Sequence, residues 1–267
     1  MENAAIVIRG LEKRFRNFHL GPLDLTAPRG AMYGYIGPNG AGKTTTIDLI
    51  MGMGAKDAGS IEVFGMDHLP EEVAVKKQIG YVSPDLNFNA WGRVDRLIHF
   101  YRSFYEDWDD EYCEALLTRL NVGWKDRIRT LSFGARIKLG LVLALSHRPA
   151  LLLLDEPLAG LDAVSKQEVF AELLSAVQDE ERTVFISPHN LDDLERFTDH
   201  VGMIKEGKLL IEGPTPELVE RFRIVQCLAV NSETPHGIVG IHVQRREGDR
   251  WRLLADMRQN AIAHLHE

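Results

Sequence analysis

Gly37-Pro38-Asn39-Gly40-Ala41-Gly42-Lys43-Thr44 fits the spacing G-x-x-x-x-G-K-[ST] of a loop that cradles phosphate. The apolar run Tyr33-Gly34-Tyr35-Ile36 before it reads as a buried strand. Thr45-Thr46-Ile47-Asp48-Leu49-Ile50-Met51 after it reads as the start of a helix. A strand, the loop and a helix in that order form the context the motif requires. The glycines let successive N–H groups turn inward around an anion, and the helix N-terminus adds the positive end of its dipole. Lys43 is expected to reach the β- and γ-phosphates, and the Thr44 hydroxyl to ligate magnesium.

Composition is that of a globular domain. The chain has 267 residues, 45% hydrophobic and 26% charged, with a formal net charge of −8. That sign argues against a general grip on nucleic acid, which shows as a basic excess. The two cysteines, Cys113 and Cys227, have no metal-binding spacing and read as reduced thiols of a cytoplasmic protein. Residues 1–9 lack the basic-then-apolar order of a signal peptide. The longest apolar stretch, Leu139–Leu154, is broken by His147-Arg148-Pro149 and falls short of a bilayer span. A membrane role would therefore be borrowed from a partner.

Working outward, short strands are expected at Ile6–Ile8, Leu23–Thr26, Met32–Ile36, Ile61–Phe64 and Ile79–Val82. From about 90 to 147 the period turns helical. Val94, Leu97, Ile98, Tyr101 and Phe104 share one face, and a second helix opens near Asp109-Asp110-Glu111 with a stripe of Tyr112, Leu116 and Leu120. These stripes read as core packing, with a docking surface as the alternative. Leu151–Leu154, Thr183–Ile186 and Val201–Ile204 read as strands, with a helix over 164–178. Strands alternating with helices imply an α/β fold, a mostly parallel sheet with flanking helices. A short helix follows Pro214-Thr215-Pro216. Ile241–Leu254 alternates weakly around a turn at Glu247-Gly248-Asp249.

Three further segments narrow the chemistry. Leu153-Leu154-Asp155-Glu156 ends a hydrophobic strand in two acids: the first can hold magnesium, and the second can polarise an attacking water. Ser132, in Leu131-Ser132-Phe133-Gly134, is a good helix N-cap, and the same geometry makes an exposed anion seat. Ser187-Pro188-His189 follows a strand, at the end where open α/β sheets bind ligands.

Taken in order, these segments resemble the ATPase subunit of ABC transporters: phosphate loop 37–44, signature segment 131–134, acid pair 155–156, Ala159-Gly160-Leu161-Asp162 as the D-loop, and His189 as the switch histidine. The resemblance spans about residues 4–220. Phe104-Tyr105-Glu106-Asp107-Trp108 and the helix after it look like the Ytr-type branch of ABC-2 exporters. It implies a phosphate-loop NTPase fold of ABC type at 1–222, with an antiparallel β-subdomain, an inserted α-helical subdomain at about 86–147, and a small β-containing appendage at 223–267.

The resemblance further implies ATP and Mg²⁺ as ligands, and closure of two cassettes head to tail around two nucleotides. Gly37, Pro38, Asn39, Gly40, Ala41, Gly42, Lys43, Thr44 and Thr45 would hold the phosphates. Phe15 would stack on adenine. Ser132 and Gly134 would grip a γ-phosphate bound by the partner cassette, and Asp162 would couple the two sites. Glu156 would be the general base, His189 would contact the γ-phosphate and the attacking water, and Lys43 would assist. Implied partners are a separately encoded transmembrane permease and a second ABC ATPase subunit, in a homodimer or heterodimer. Nucleic acid is not among them. The place would be the inner face of the cell membrane, reached through the permease.

Two segments depart from the family pattern. The signature, usually Leu-Ser-Gly-Gly-Gln, reads Leu-Ser-Phe-Gly-Ala. The expected Q-loop glutamine is absent, and Ser83-Pro84-Asp85 stands in its place, with Asp85 a candidate metal ligand. The competing reading is a soluble ABC-type ATPase acting on nucleic acid, ribosomes or a protein scaffold. A single cassette, no heptad run and an acidic balance weigh against it. A GTP-binding switch lacks its guanine-reading Asn-Lys-x-Asp segment.

Overall fold

The computed structural model describes residues 3–178, 182–188, 197–228, 241–247 and 250–256. In chain order the elements are β1 (Ala4–Arg14), β2 (His19–Pro28), β3 (Met32–Ile36), α1 (Lys43–Ile50), β4 (Ala58–Val63), β5 (Met66–Asp67), α2 (Glu72–Lys77) and β6 (Ile79–Val82). They continue with α3 (Val94–Arg102), α4 (Asp110–Arg119), α5 (Phe133–Ser146), β7 (Leu151–Asp155), α6 (Ala163–Gln178), β8 (Thr183–Ser187) and β9 (His200–Lys205). β10 (Lys208–Pro214), α7 (Thr215–Arg221), β11 (Phe222–Leu228), β12 (Ile241–Glu247) and β13 (Arg250–Asp256) complete the described chain.

Two units divide it, Met1–Glu212 and Gly213–Glu267. This puts α7 in the second unit, where it packs on β11, ahead of the expected boundary at 222. In that unit β11, β13 and β12 form an antiparallel sheet in that order. Its turn residues 248–249 lie outside the described residues.

The first unit holds two sheets. Strands β2-β1-β4-β5 form an antiparallel layer. The larger sheet runs β10-β9-β3-β8-β7-β6, with β9, β3, β8, β7 and β6 parallel. Strands buried on both faces read as unbroken apolar runs, and Leu151–Leu154 are all at zero exposure. Their side chains alternate between faces. Leu151 and Leu153 join the cluster of Tyr33, Tyr35, Phe185 and Ile47. Leu152 and Leu154 join that of Val184, Ile186, Leu139 and Leu116. Each buried leucine contributes about 2 kcal/mol of transfer free energy.

The helical stretch packs as its stripes predict, with one exception. Val94, Leu97 and Ile98 are buried and Tyr101 is partly so, but Phe104 is 59% exposed. α3 ends at Arg102, and the turn that follows swings Phe104 out of the stripe, edge-on against Phe100 at 4.8 Å. α4 starts where its acids suggest: the Asp109 side chain caps it by accepting from the Tyr112 N–H. α5 lies on β6 with no room at Gly80, where a Cβ would come within 2.4 Å of the Ala144 carbonyl oxygen. Cys113 is buried and its thiol is free, with burial pushing its pKa up.

Among the described residues no helix is long and apolar enough to cross a membrane.

Candidate functional site

Parallel strands put their C-terminal ends on one edge, where open α/β sheets bind ligands. β3 delivers the phosphate loop to that edge, β7 delivers Asp155 and β8 delivers Ser187. The register Leu154 to Ile186 and Asp155 to Ser187 sets the last two side by side.

The loop's shape depends on its glycines. Gly42 has φ +110°, and a Cβ there would meet Leu20 Cδ1 at 2.8 Å and Phe18 Cζ at 3.0 Å. Gly37 lies so near β9 that a Cβ would come within 2.2 Å of the Ile204 carbonyl oxygen. Only glycine tolerates both demands. Lys43 folds over the loop and donates from Nζ to the carbonyl oxygens of Gly37 at 2.9 Å and Pro38 at 3.4 Å. Its side chain is 6% exposed and 3.8 Å from Glu156 Oε1.

Thr44 and Asp155 meet directly. Thr44 Oγ1 donates to Asp155 Oδ2 at 2.7 Å, and Ser187 Oγ donates to Asp155 Oδ1 at 2.5 Å. A buried carboxylate is costly unless both oxygens are satisfied, and these two hydroxyls satisfy them. The Ser187 carbonyl and hydroxyl oxygens accept from the Glu156 N–H at 2.8 and 3.2 Å. Glu156 has φ +43°, a left-handed conformation rare for a side-chain-bearing residue. Such strain persists where surrounding structure fixes it, and Ser187 supplies that constraint.

A cleft of about 590 Å³ opens along this edge, lined by Phe15, Asn17, Phe18, Asn39, Gly40, Gly42, Lys43, Thr44, Thr45 and Glu156. Phe15 is half-exposed, with its ring 6.2 Å from that of Phe18. Pro38 and Ala41 line a second opening beside Asn39 and Gly40, with Lys205 and Lys208.

The remaining predicted residues lie on other elements. Ser132 is exposed and caps α5, its Oγ accepting from the Ala135 N–H at 3.1 Å. Gly134 follows in the first turn. Asp162 accepts from the Ser165 N–H and hydroxyl at 2.9 and 2.8 Å, and these donors hold its carboxyl below the usual range. Asp85 lies in the turn after β6, its N–H donating to Ser83 Oγ at 3.3 Å. His189 lies outside the described residues.

Four contributors emerge only from the fold. Ser187 reads in the sequence as a strand-end residue, and its role in bracing two acids follows from the β7–β8 register. Phe18 and Asn17 join Phe15 in the cleft with no motif to flag them. Asp48, on α1, has its carboxyl pushed up by burial and by the charges of Asp155 and Asp85, so three acids share this neighbourhood.

The donor set suits a hard divalent cation: one hydroxyl and one carboxylate oxygen at contact distance, beside a phosphate cradle. Among the described residues no three His, Cys, Asp or Glu side chains converge as a protein-only metal cage. Magnesium sites typically draw their remaining ligands from substrate phosphates and water, so the residues present fit that metal.

A parallel sheet whose edge joins a phosphate loop to an aspartate–glutamate pair defines a phosphate-loop NTPase. Comparison with known proteins narrows the class. The family described as ABC transporter matches residues 20–159. The bacitracin transport ATP-binding protein BcrA of Bacillus licheniformis is 36% identical over 205 residues, covering 75% of this chain and 66% of that protein. The ABC transporter ATP-binding protein YtrB of Bacillus subtilis is 32% identical over 222 residues, covering 83% and 76%. The daunorubicin/doxorubicin resistance ATP-binding protein DrrA of Streptomyces peucetius is 33% identical over 223 residues, covering 80% and 66%. The chain thus spans about two thirds of the length of two of these relatives.

Two solved structures share the fold. One, an ATP-binding subunit of an ABC transporter, has a TM-score of 0.73 at 21% identity, covering 81% of this chain and 92% of that one. Another, a dimeric ATP-binding cassette holding ADP and phosphate, has a TM-score of 0.69 at 16% identity, covering 79% and 98%. The chain belongs to the ABC transporter family, as an ATP-binding cassette.

Proposed function

We propose that this chain is the ATP-hydrolysing subunit of an exporter, driving a separate membrane permease through closure of a head-to-tail pair of cassettes. The observation that carries the reading is the linked set Thr44, Asp155, Ser187 and Glu156 beside the Lys43 loop. The names of the relatives, bacitracin transport and daunorubicin resistance among them, support export as the direction.

Residues 37–45 hold the triphosphate, with Lys43 released from its loop carbonyls to the β- and γ-phosphates. Thr44 and Asp155 would hold magnesium, which when bound neutralises phosphate charge, and Asp85 adds a carboxylate to the same neighbourhood. Glu156, fixed in a strained conformation at the cleft, is the base that orients and deprotonates water. Phe15 offers its half-exposed face to adenine. Ser132, whose oxygen lone pair already caps α5, retains its O–H for the γ-phosphate of the partner cassette, with Gly134 beside it. Asp162 and His189 keep the coupling and γ-phosphate roles the resemblance gives them. ATP favours the closed pair because it binds across both cassettes, and hydrolysis withdraws that preference.

The test is to purify tagged Glu156→Gln from its native membranes with ATP present. A stoichiometric multi-spanning partner is expected. Recovery of the cassette with soluble partners alone would refute the transporter reading.

A further inference from the structure

We propose that Phe133 is a positioning residue. It clamps the loop Ala159–Asp162 onto the start of α5, so that Ser132, Gly134 and Asp162 meet a nucleotide as one body. The inference deepens the ATPase reading given above and rests on it.

Phe133 occupies a signature position where the resembled family has a bare glycine. A phenylalanine at an exposed helix start needs an explanation only if its ring does something, since single exposed apolar side chains are common. Here the ring is 45% exposed and belongs to neither apolar cluster of the core. Its covered part lies against Gly160. A Cβ built on Gly160 would be 3.4 Å from Phe133 Cε1 and 3.6 Å from Cδ1, ordinary van der Waals distances, so the ring stands over Gly160 with room for no more than a methyl group between them. Gly160 has φ +70°, a conformation that favours glycine for a second, independent reason.

The neighbouring residues extend the same contact. Gly134 faces Leu161: a Cβ on Gly134 would stand 3.2 Å from Leu161 Cδ2 and 3.7 Å from Ser165 Oγ. Ser165 in turn holds the Asp162 carboxylate through its N–H and its hydroxyl. Phe133 on Gly160, Gly134 on Leu161, and Ser165 between Gly134 and Asp162 thus lock two consecutive residues of α5 against the whole loop. A glycine at 133 would remove the contact with Gly160 and leave those of Gly134 with Leu161 and Ser165. A planar ring suits the task, because it covers area with only two side-chain torsions to fix.

The experiment measures kcat and ATP affinity in the full chain, with any permease that co-purifies, for Phe133→Gly, Phe133→Leu, Gly160→Ala and the Phe133→Gly/Gly160→Ala pair. Phe133→Gly should lower kcat about tenfold or more, as small misplacements of catalytic parts do, with ATP affinity within about twofold because the phosphate loop is untouched. Phe133→Leu should recover most of the turnover, since it keeps apolar bulk over Gly160. Gly160→Ala, which forces a side chain onto φ +70°, should shift the loop under the ring and reproduce the loss, and the double variant should be no worse than the poorer single one. Should Phe133→Gly melt early, Phe133→Leu and Gly160→Ala carry the comparison.

Turnover of Phe133→Gly within about twofold of wild type, or a loss of ATP affinity in proportion to kcat, would overturn the clamp. Glu156→Gln run alongside separates the two readings. If it turns over normally, the site reading fails and the clamp falls with it. If it is inactive while Phe133→Gly is normal, the clamp alone is refuted.

Discussion

The Thr44 hydroxyl and the Asp155 carboxylate are 2.7 Å apart, although 111 residues separate them in the chain. The contact ties the phosphate loop to the acid end of β7 and sets two oxygen donors where a magnesium–nucleotide complex would arrive.

Asp155→Asn tests that donor pair. Burying an ionised carboxylate costs several kcal/mol before its bonds offset it, and asparagine keeps the shape without that cost. The nucleotide-free melting temperature should therefore hold or rise. Magnesium should no longer strengthen nucleotide binding, and turnover should fall by about 10²-fold or more. Titration calorimetry with and without EDTA, beside a phosphate-release assay, reads both effects. A variant that still binds ATP more tightly with magnesium would remove Asp155 from the metal's shell.

Ser187→Ala should cost both stability and catalysis. It deletes the donor to Asp155 Oδ1 and one of two acceptors for the Glu156 N–H. Stranding a buried carboxylate oxygen costs about 1–3 kcal/mol. Glu156, at φ +43°, should then lose part of its fixed orientation, lowering kcat more than ATP affinity. Urea unfolding and steady-state kinetics provide the check; unchanged stability would mean that water replaces the hydroxyl at no cost.

Acid should weaken the fold through two buried histidines. His147 is held below the usual histidine range first by burial, and so is His68. A depressed folded value means the unfolded chain takes up its proton first, near pH 6.5, while the folded chain stays neutral to lower pH. The stabilisation is full above about pH 6.5 and is lost as the pH falls through the folded value. Each histidine contributes a slope of at most about 1.4 kcal/mol per pH unit. His147→Gln, measured by denaturant unfolding between pH 7 and 5, should flatten the decline by roughly half. An unchanged slope would place the proton uptake elsewhere.

The phosphate loop, the acid pair and the helix start at Ser132 were legible because each is a local pattern with a local physical cause. Leu151–Leu154 declared a strand buried on both faces, and Asp109 announced the start of α4. Ser187 was legible as a strand end but not as a brace, because its partners come from the pairing of β7 with β8. Phe104 failed because a periodic stripe does not mark where its helix stops. Phe133 read as a departure from a pattern, while its seat on Gly160 depends on how two distant segments pack. Residues that act within one turn of chain were readable; those that act across strands needed the fold.

The most direct measurement is ATP turnover by Glu156→Gln beside its nucleotide-bound mass in light scattering. Turnover should drop by about 10²-fold or more, the usual contribution of a general base, while ATP still binds and holds the cassettes as a pair. Turnover within a few-fold of wild type would contradict Glu156 as the base and with it the catalytic reading of this edge.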